Sequence, residues 1–186
     1  LNIGKNELLL VLLPGSRVSE IKRLLPIFLK SLEMLNTKVS NLRFILPTPG
    51  FKDSLVEQYL ESSLINVEVI SENNFTSEEF EELKFELFCA ADFALAASGT
   101  VTLELAAANT PMVVCYDVNL FSRVIIKFLL RIESVSLVNV ILNRKLVPEF
   151  LGKRCKPKLI GEALVELIHN KNLSSKVKNI QSLKAF

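Results

Sequence analysis

Short, unbroken apolar runs alternate along this chain with longer stretches whose apolar residues recur every three or four positions. The first run, residues 8–13, has no polar position, as a strand buried on both faces requires. Ile21, Leu24, Leu25, Phe28, Leu29, Leu32 and Leu35 follow at helical spacing. Pro26 interrupts that stripe and marks either a kink or a first-turn proline after an irregular start. The spacing then predicts a strand over 42–46 closed by prolines, a helix over 53–61 and a strand over 67–70. A polar loop over 71–77 leads to an acidic helix over 78–88, with Ser77 as its N-cap. A strand over 92–96 runs into a helix ending near Ala108, and Met112–Tyr116 forms another strand. Residues 120–131 read as a helix, 135–141 as a short strand or extended loop, and 158–170 as a final helix. Strand and helix in regular alternation predict an α/β, Rossmann-like parallel sheet with helices on both faces.

In such sheets ligands sit beyond the carboxyl ends of the strands, so the loops there are the places to look for chemistry. The loop after the first strand reads Pro14-Gly15-Ser16-Arg17. Gly15 permits a tight turn and Arg17 offers a planar fork for phosphate oxygens. Ser16 or Ser19 can cap the following helix, whose free N–H groups favour an anion. The alternative is a strand-ending turn with a solvated arginine. The loop after the 92–96 strand reads Ser98-Gly99-Thr100 and continues to Glu104. Small residues leave room for a ligand to reach the backbone, and a helix N-terminus follows. Thr100 and Glu104 share a helix face, roughly 6 Å apart along the axis at ~1.5 Å per residue. A carboxylate touching a diphosphate would repel it. Glu104 therefore suits a neutral group one step away, such as the vicinal hydroxyls of a ribose. There is no GxGxxG and no P-loop, so dinucleotide and ATP sites are poorly supported.

The 186 residues suit one domain, and 49% hydrophobic composition suits a sizeable core. A net charge of +2 gives no argument for nucleic acid. Cys89, Cys115 and Cys155 lie far apart without a CxxC pair, so neither a metal site nor a disulfide framework is expected. They read as reduced thiols of a cytosolic protein. No apolar run reaches the ~18 residues of a membrane span, and there is no signal peptide. Residue 1 is Leu with a strand close behind it, as in a chain cut from something longer.

Several segments taken in order resemble the C-terminal domain of the lipid-A-disaccharide synthase family. They are Leu12-Leu13-Pro14-Gly15-Ser16-Arg17 with Glu20-Ile21, Ala97-Ser98-Gly99-Thr100 with Thr102-Leu103-Glu104, and Pro111-Met112-Val113-Val114 with Tyr116. Ser136-Leu137-Val138-Asn139 and Leu146-Val147-Pro148-Glu149 continue the order, so the likeness runs from about Leu8 to about Ile168. The resemblance implies half of a GT-B glycosyltransferase, the half that binds the nucleotide-sugar donor. The family transfers 2,3-diacylglucosamine from UDP to 2,3-diacylglucosamine 1-phosphate in lipid A biosynthesis, with inversion and without a metal or cofactor. The acceptor site and the catalytic base would belong to an N-terminal domain absent here, so no catalytic residue is assigned in this half. By similarity Gly15, Ser16, Arg17, Ser98, Gly99 and Thr100 would hold the diphosphate, Glu104 the ribose, and Asn139 would face the cleft. The chain departs from the family pattern at Asp117, at Val138 (commonly proline) and at Gly152 (commonly glutamine, a polar cleft contact). Other readings are a UDP-GlcNAc-using GT-B transferase or epimerase, or an inactive module binding a nucleotide or a partner chain.

Arg123, Lys127 and Arg131 form a basic stripe on the helix expected from Leu120 to Arg131. Such a helix can lie on an anionic membrane surface or pack on the protein. The first alternative would place the protein peripherally on the cytoplasmic side of the bacterial inner membrane. His169, the only histidine, reads as a surface or capping residue, and the acidic run 78–86 as a solvated helix face.

Overall fold

A computed structural model describes residues 7–116, 134 and 136–169. The apolar runs become strands β1 (Leu8–Leu13), β2 (Leu42–Thr48), β3 (Val67–Ser71), β4 (Phe93–Ala97) and β5 (Met112–Tyr116), joined by the short β6 (Glu149–Leu151). Between and after them lie α1 (Val18–Asn36), α2 (Asp53–Glu61), α3 (Ser77–Ala90), α4 (Val101–Ala107), α5 (Leu137–Leu142) and α6 (Pro157–His169). All recorded strand pairs are parallel, in the order β3-β2-β1-β4-β5-β6. The chain builds outward from β1 to β3, then crosses back to place β4 on the other side of β1. The sheet therefore reverses direction between β1 and β4, where a parallel sheet opens its crevice.

The alternation of side chains along each strand divides the core in two. Leu10, Leu12, Phe44, Leu46, Leu95, Val113 and Cys115 face α1, α2 and α6. Leu9, Val11, Leu13, Ile45, Ala94, Ala96, Met112 and Val114 face α3, α4 and α5. A strand with apolar residues at both parities, as β1 has, can only sit between two such layers.

Helix α1 runs on through Pro26. It starts about two turns earlier, so the first-turn reading of that proline is overturned. Pro26 is only half buried, while Ile21, Leu24, Leu25, Phe28, Leu29, Leu32 and Leu35 are all buried. At about 1.5–3 kcal/mol each, those side chains outweigh a proline cost of about 3 kcal/mol. Strand β2 likewise extends beyond its expected end, through Pro47. Its pairing with β1 stops at Ile45, so Pro47 is paired only to β3 and its missing N–H is tolerated as on an edge.

The N-cap of α3 is Thr76, not Ser77. The Thr76 hydroxyl accepts from the Glu79 N–H at 3.3 Å, and the Glu79 carboxylate accepts from the Thr76 N–H at 2.8 Å. That backbone hydrogen bond, and then the one from the Thr76 hydroxyl, hold the Glu79 carboxyl below its usual value.

Residues 137–142 form α5 rather than a strand. The run Leu-Val-Asn-Val-Ile-Leu has strand-like composition, but tertiary contacts decide its form. Val138 and Asn139 are buried, and Asn143 closes the helix in the left-handed conformation. The region 120–131, with its basic stripe, and Asp117 lie outside the described residues. Among the described residues no helix is long and apolar enough to cross a membrane. Cys89, Cys115 and Cys155 are not joined in disulfides. The hydrogen bond with Cys155, and then burial, push the Cys115 thiol well up. His169 is exposed in the last turn of α6.

Candidate functional site

Because β1 and β4 are hydrogen-bonded neighbours, the loops that follow them open at the same edge of the sheet. A cleft of about 540 Å³ lies there. Gly15, Ser16 and Arg17 line it from the β1 side, and Ser98, Gly99, Thr100 and Glu104 from the β4 side. Seven of the eight residues singled out from the sequence thus converge on one cavity.

The two loops are built differently. Gly15 has φ +112°, a conformation that side chains disfavour, and a Cβ there would come within 2.6 Å of the Glu20 Cβ. Neither Ser16 nor Ser19 caps α1. The Glu20 carboxylate reaches back instead, accepting from the Ser16 N–H at 3.0 Å and the Arg17 N–H at 3.3 Å. It also pairs with the Arg17 guanidinium at 3.5 Å. The anion expected on these amides is therefore already supplied by the chain itself. Arg17 remains 80% exposed in its side chain and can turn toward a ligand. Lys52 is buried, its ammonium 4.4 Å from the centroid of the Phe51 ring. Burial lowers the Lys52 pKa, and the Glu20 charge partly opposes that.

The loop after β4 is not filled in this way by its own chain. The Ser98 N–H donates to the Cys115 carbonyl at 2.8 Å, anchoring the loop to β5. The Thr102 hydroxyl donates to the Gly99 carbonyl at 2.7 Å. The N–H groups of Gly99, Thr100 and Val101 have no acceptor among the described residues. A Cβ built on Gly99 meets nothing within 4 Å, so neither crowding nor a positive φ demands glycine there. Its absent side chain leaves open cleft directly over the backbone.

Glu104 stands further along α4, its side chain 39% exposed. The Lys84 ammonium lies 3.2 Å from its Oε2 and 2.6 Å from Glu81 Oε2. Lys84 lines the cleft and was hidden in the acidic run read as a solvated face. Helical spacing from the buried Phe80, Leu87 and Phe88 places position 84 on the inward side of α3, and that was the available signal.

Asn139 does not face the cleft. It is buried, and its side-chain oxygen accepts from the Leu146 and Val147 N–H groups, both at 2.9 Å. Its amide donates to the Val147 carbonyl at 2.8 Å and to the Glu149 carboxylate. A buried amide with both ends occupied is a staple holding the chain between α5 and β6. Gly152 adopts φ +51° at the end of β6, so its backbone conformation accounts for glycine there.

Known proteins resemble this chain in sequence and in fold. The lipid-A-disaccharide synthase of Rickettsia felis is 39% identical over 170 residues, spanning 90% of this chain and 40% of that protein. The Rickettsia akari enzyme of the same name is 37% identical, with the same coverage. The chain therefore spans well under half the length of these relatives. Among solved structures, the UDP-GlcNAc 2-epimerase of Neisseria meningitidis bound to UDP-GlcNAc is 16% identical, with a TM-score of 0.59 over 96% of this chain and 40% of that one. The spinosyn rhamnosyltransferase complexed with thymidine diphosphate is 8% identical, with a TM-score of 0.62 over 97% of this chain and 42% of that one. At such identities the likeness establishes the fold, one half of the two-domain GT-B architecture. The profile of the family "Lipid-A-disaccharide synthetase" matches residues 1–185, and the chain belongs to that family.

Proposed function

We propose that this chain is the donor-binding half of a lipid-A-disaccharide synthase and that its cleft holds UDP-2,3-diacylglucosamine. One observation carries the reading: unclaimed backbone N–H groups, an exposed guanidinium and a carboxylate one helical turn away share one cavity at the sheet's reversal point. The diphosphate would lie over Gly99, accepting from the N–H groups of 99–101 and the hydroxyls of Ser98 and Thr100. Arg17 would exchange its exposed ion pair with Glu20 for the phosphates, and Gly15 and Ser16 would border them. The free oxygen of Glu104 would accept from a ribose hydroxyl. Two structural relatives hold a UDP-sugar or a nucleoside diphosphate, which supports this class of ligand.

Chemically, this half would stabilise the charge that builds on UDP as the glycosidic bond breaks, the usual largest electrostatic contribution to such a transfer. The acceptor, 2,3-diacylglucosamine 1-phosphate, and the group that deprotonates it would be placed by a second domain. The basic stripe of Arg123, Lys127 and Arg131 would meet the anionic inner-membrane surface that carries these lipids.

Calorimetric titration of UDP into this chain tests the reading. Arg17→Ala and Glu104→Ala should each weaken binding by about 1.5–3 kcal/mol, the range for a hydrogen bond to a charged group. Unaltered affinity in both variants, with the wild type binding, would remove the assignment of these side chains. Absence of binding by the wild type would remove the site.

A further inference from the structure

Before any ligand arrives the cleft is lined by more acid than base: Glu20, Glu72, Glu81 and Glu104 against Arg17 and Lys84. That is an unexpected seat for a diphosphate, and the geometry suggests how it is relieved. Glu20 is answered on its own wall by two N–H groups and Arg17. Glu104, on the opposite wall, has Lys84. The ammonium holds Oε2 of Glu104 at 3.2 Å and both oxygens of Glu81, at 2.8 and 2.6 Å. Lys84 is the less exposed partner, 17% in its side chain against 39% for Glu104 and 63% for Glu81. Burial limits the solvent that would otherwise screen the Lys84–Glu104 pair. Burial pulls the Lys84 pKa down, but the hydrogen bonds and charges of Glu81 and Glu104 overcome this and raise it. The ammonium thus stays charged at neutral pH.

The charge matters because of the spacing on α4. Like charges roughly 6 Å apart repel by an amount worth roughly threefold in affinity in bulk water and about 100-fold at an effective dielectric near 20. A bare Glu104 would therefore oppose the diphosphate whose ribose it is placed to hold. We propose that Lys84 is a positioning residue of the nucleotide cleft, holding one oxygen of Glu104 and offsetting the charge of the Glu81–Glu104 pair, so that the other oxygen can serve the ribose with less repulsion of the diphosphate. Glu81 steadies the ammonium from the solvent side. The inference rests on the UDP reading of the cleft.

The test separates phosphate from nucleoside. UDP is titrated calorimetrically, and uridine by ligand-observed NMR, into wild type, Lys84→Met, Lys84→Arg and the double variant Lys84→Met/Glu104→Gln. Lys84→Met should lower the ratio of UDP to uridine affinity by roughly tenfold, within the range set by the Coulomb argument. Lys84→Arg should keep the ratio within about threefold of wild type. The double variant should recover part of the ratio, because the Glu104 carboxylate has gone while Glu81 keeps its charge. A purely structural lysine would lower both affinities together, and that outcome, or no loss at all, overturns the proposal. Lys84→Gln supplies the same comparison where Lys84→Met fails to fold. A wild-type chain that does not bind UDP defeats the cleft reading and this inference with it. A wild type that binds, with an unchanged ratio in Lys84→Met, defeats the inference alone.

Discussion

The loops after β1 and β4 share one cavity, yet one is filled by its own chain and the other is left open. Residues 14–17 wrap around the Glu20 carboxylate, which takes the Ser16 and Arg17 N–H groups and approaches any Cβ placed on Gly15. The loop after β4 keeps the N–H groups of Gly99, Thr100 and Val101 without acceptors among the described residues, and open space over Gly99. Two glycines at equivalent strand ends thus do different things. Gly15 serves the fold, because no other residue suits its conformation. Gly99 meets no such demand from the fold, which leaves the space above it open. A helix start by itself does not make an anion site. What matters is whether the protein has already supplied the anion.

Stability measurements can break this contrast, and Gly15→Ala should have the largest effect. A positive φ together with the clash against Glu20 should destabilise by about 2–3 kcal/mol in denaturant melts. A loss below about 0.5 kcal/mol would mean the β1 loop relaxes easily and is no rigid frame. Glu20→Gln should come next, near 1 kcal/mol, as the charged acceptor at the head of α1 is lost. It sharpens the comparison further through UDP affinity. Little change is expected, whereas tighter binding would show that Glu20 occupies the phosphate seat rather than framing it. Gly99→Ala should change stability by no more than about 0.5 kcal/mol. The same variant should bind UDP roughly tenfold more weakly, since a methyl group would stand where the diphosphate meets the backbone. A stability loss matching that of Gly15→Ala would erase the distinction.

Much of the fold was legible because burial on two faces leaves a strong mark. The unbroken run Leu8–Leu13 reads as a central strand, and the stripe from Ile21 to Leu35 reads as a helix in spite of Pro26. The misread segment, 137–142, is short and rich in branched residues, so period and propensity do not separate strand from helix. Asn139 shows a second limit. Its residue type suits a cleft contact or a buried staple equally, and only the four hydrogen bonds around it decide. Lys84 shows a third. Its charge argued for solvent while its spacing from Phe80 and Leu87 argued for the interior, and the paired carboxylates of Glu81 and Glu104 reconcile the two.

From the sequence alone came the alternating elements, the parallel sheet, and the two strand-end loops with Glu104 one turn beyond the second. Those follow from local patterning, which a linear chain records directly. The order β3-β2-β1-β4-β5-β6, the convergence of the two loops on one cavity, Glu20 sitting on its own helix head and Lys84 clasping Glu104 were decided only in three dimensions. Each depends on which distant segments become neighbours. Charge pairing and open space are properties of neighbours, not of residue types.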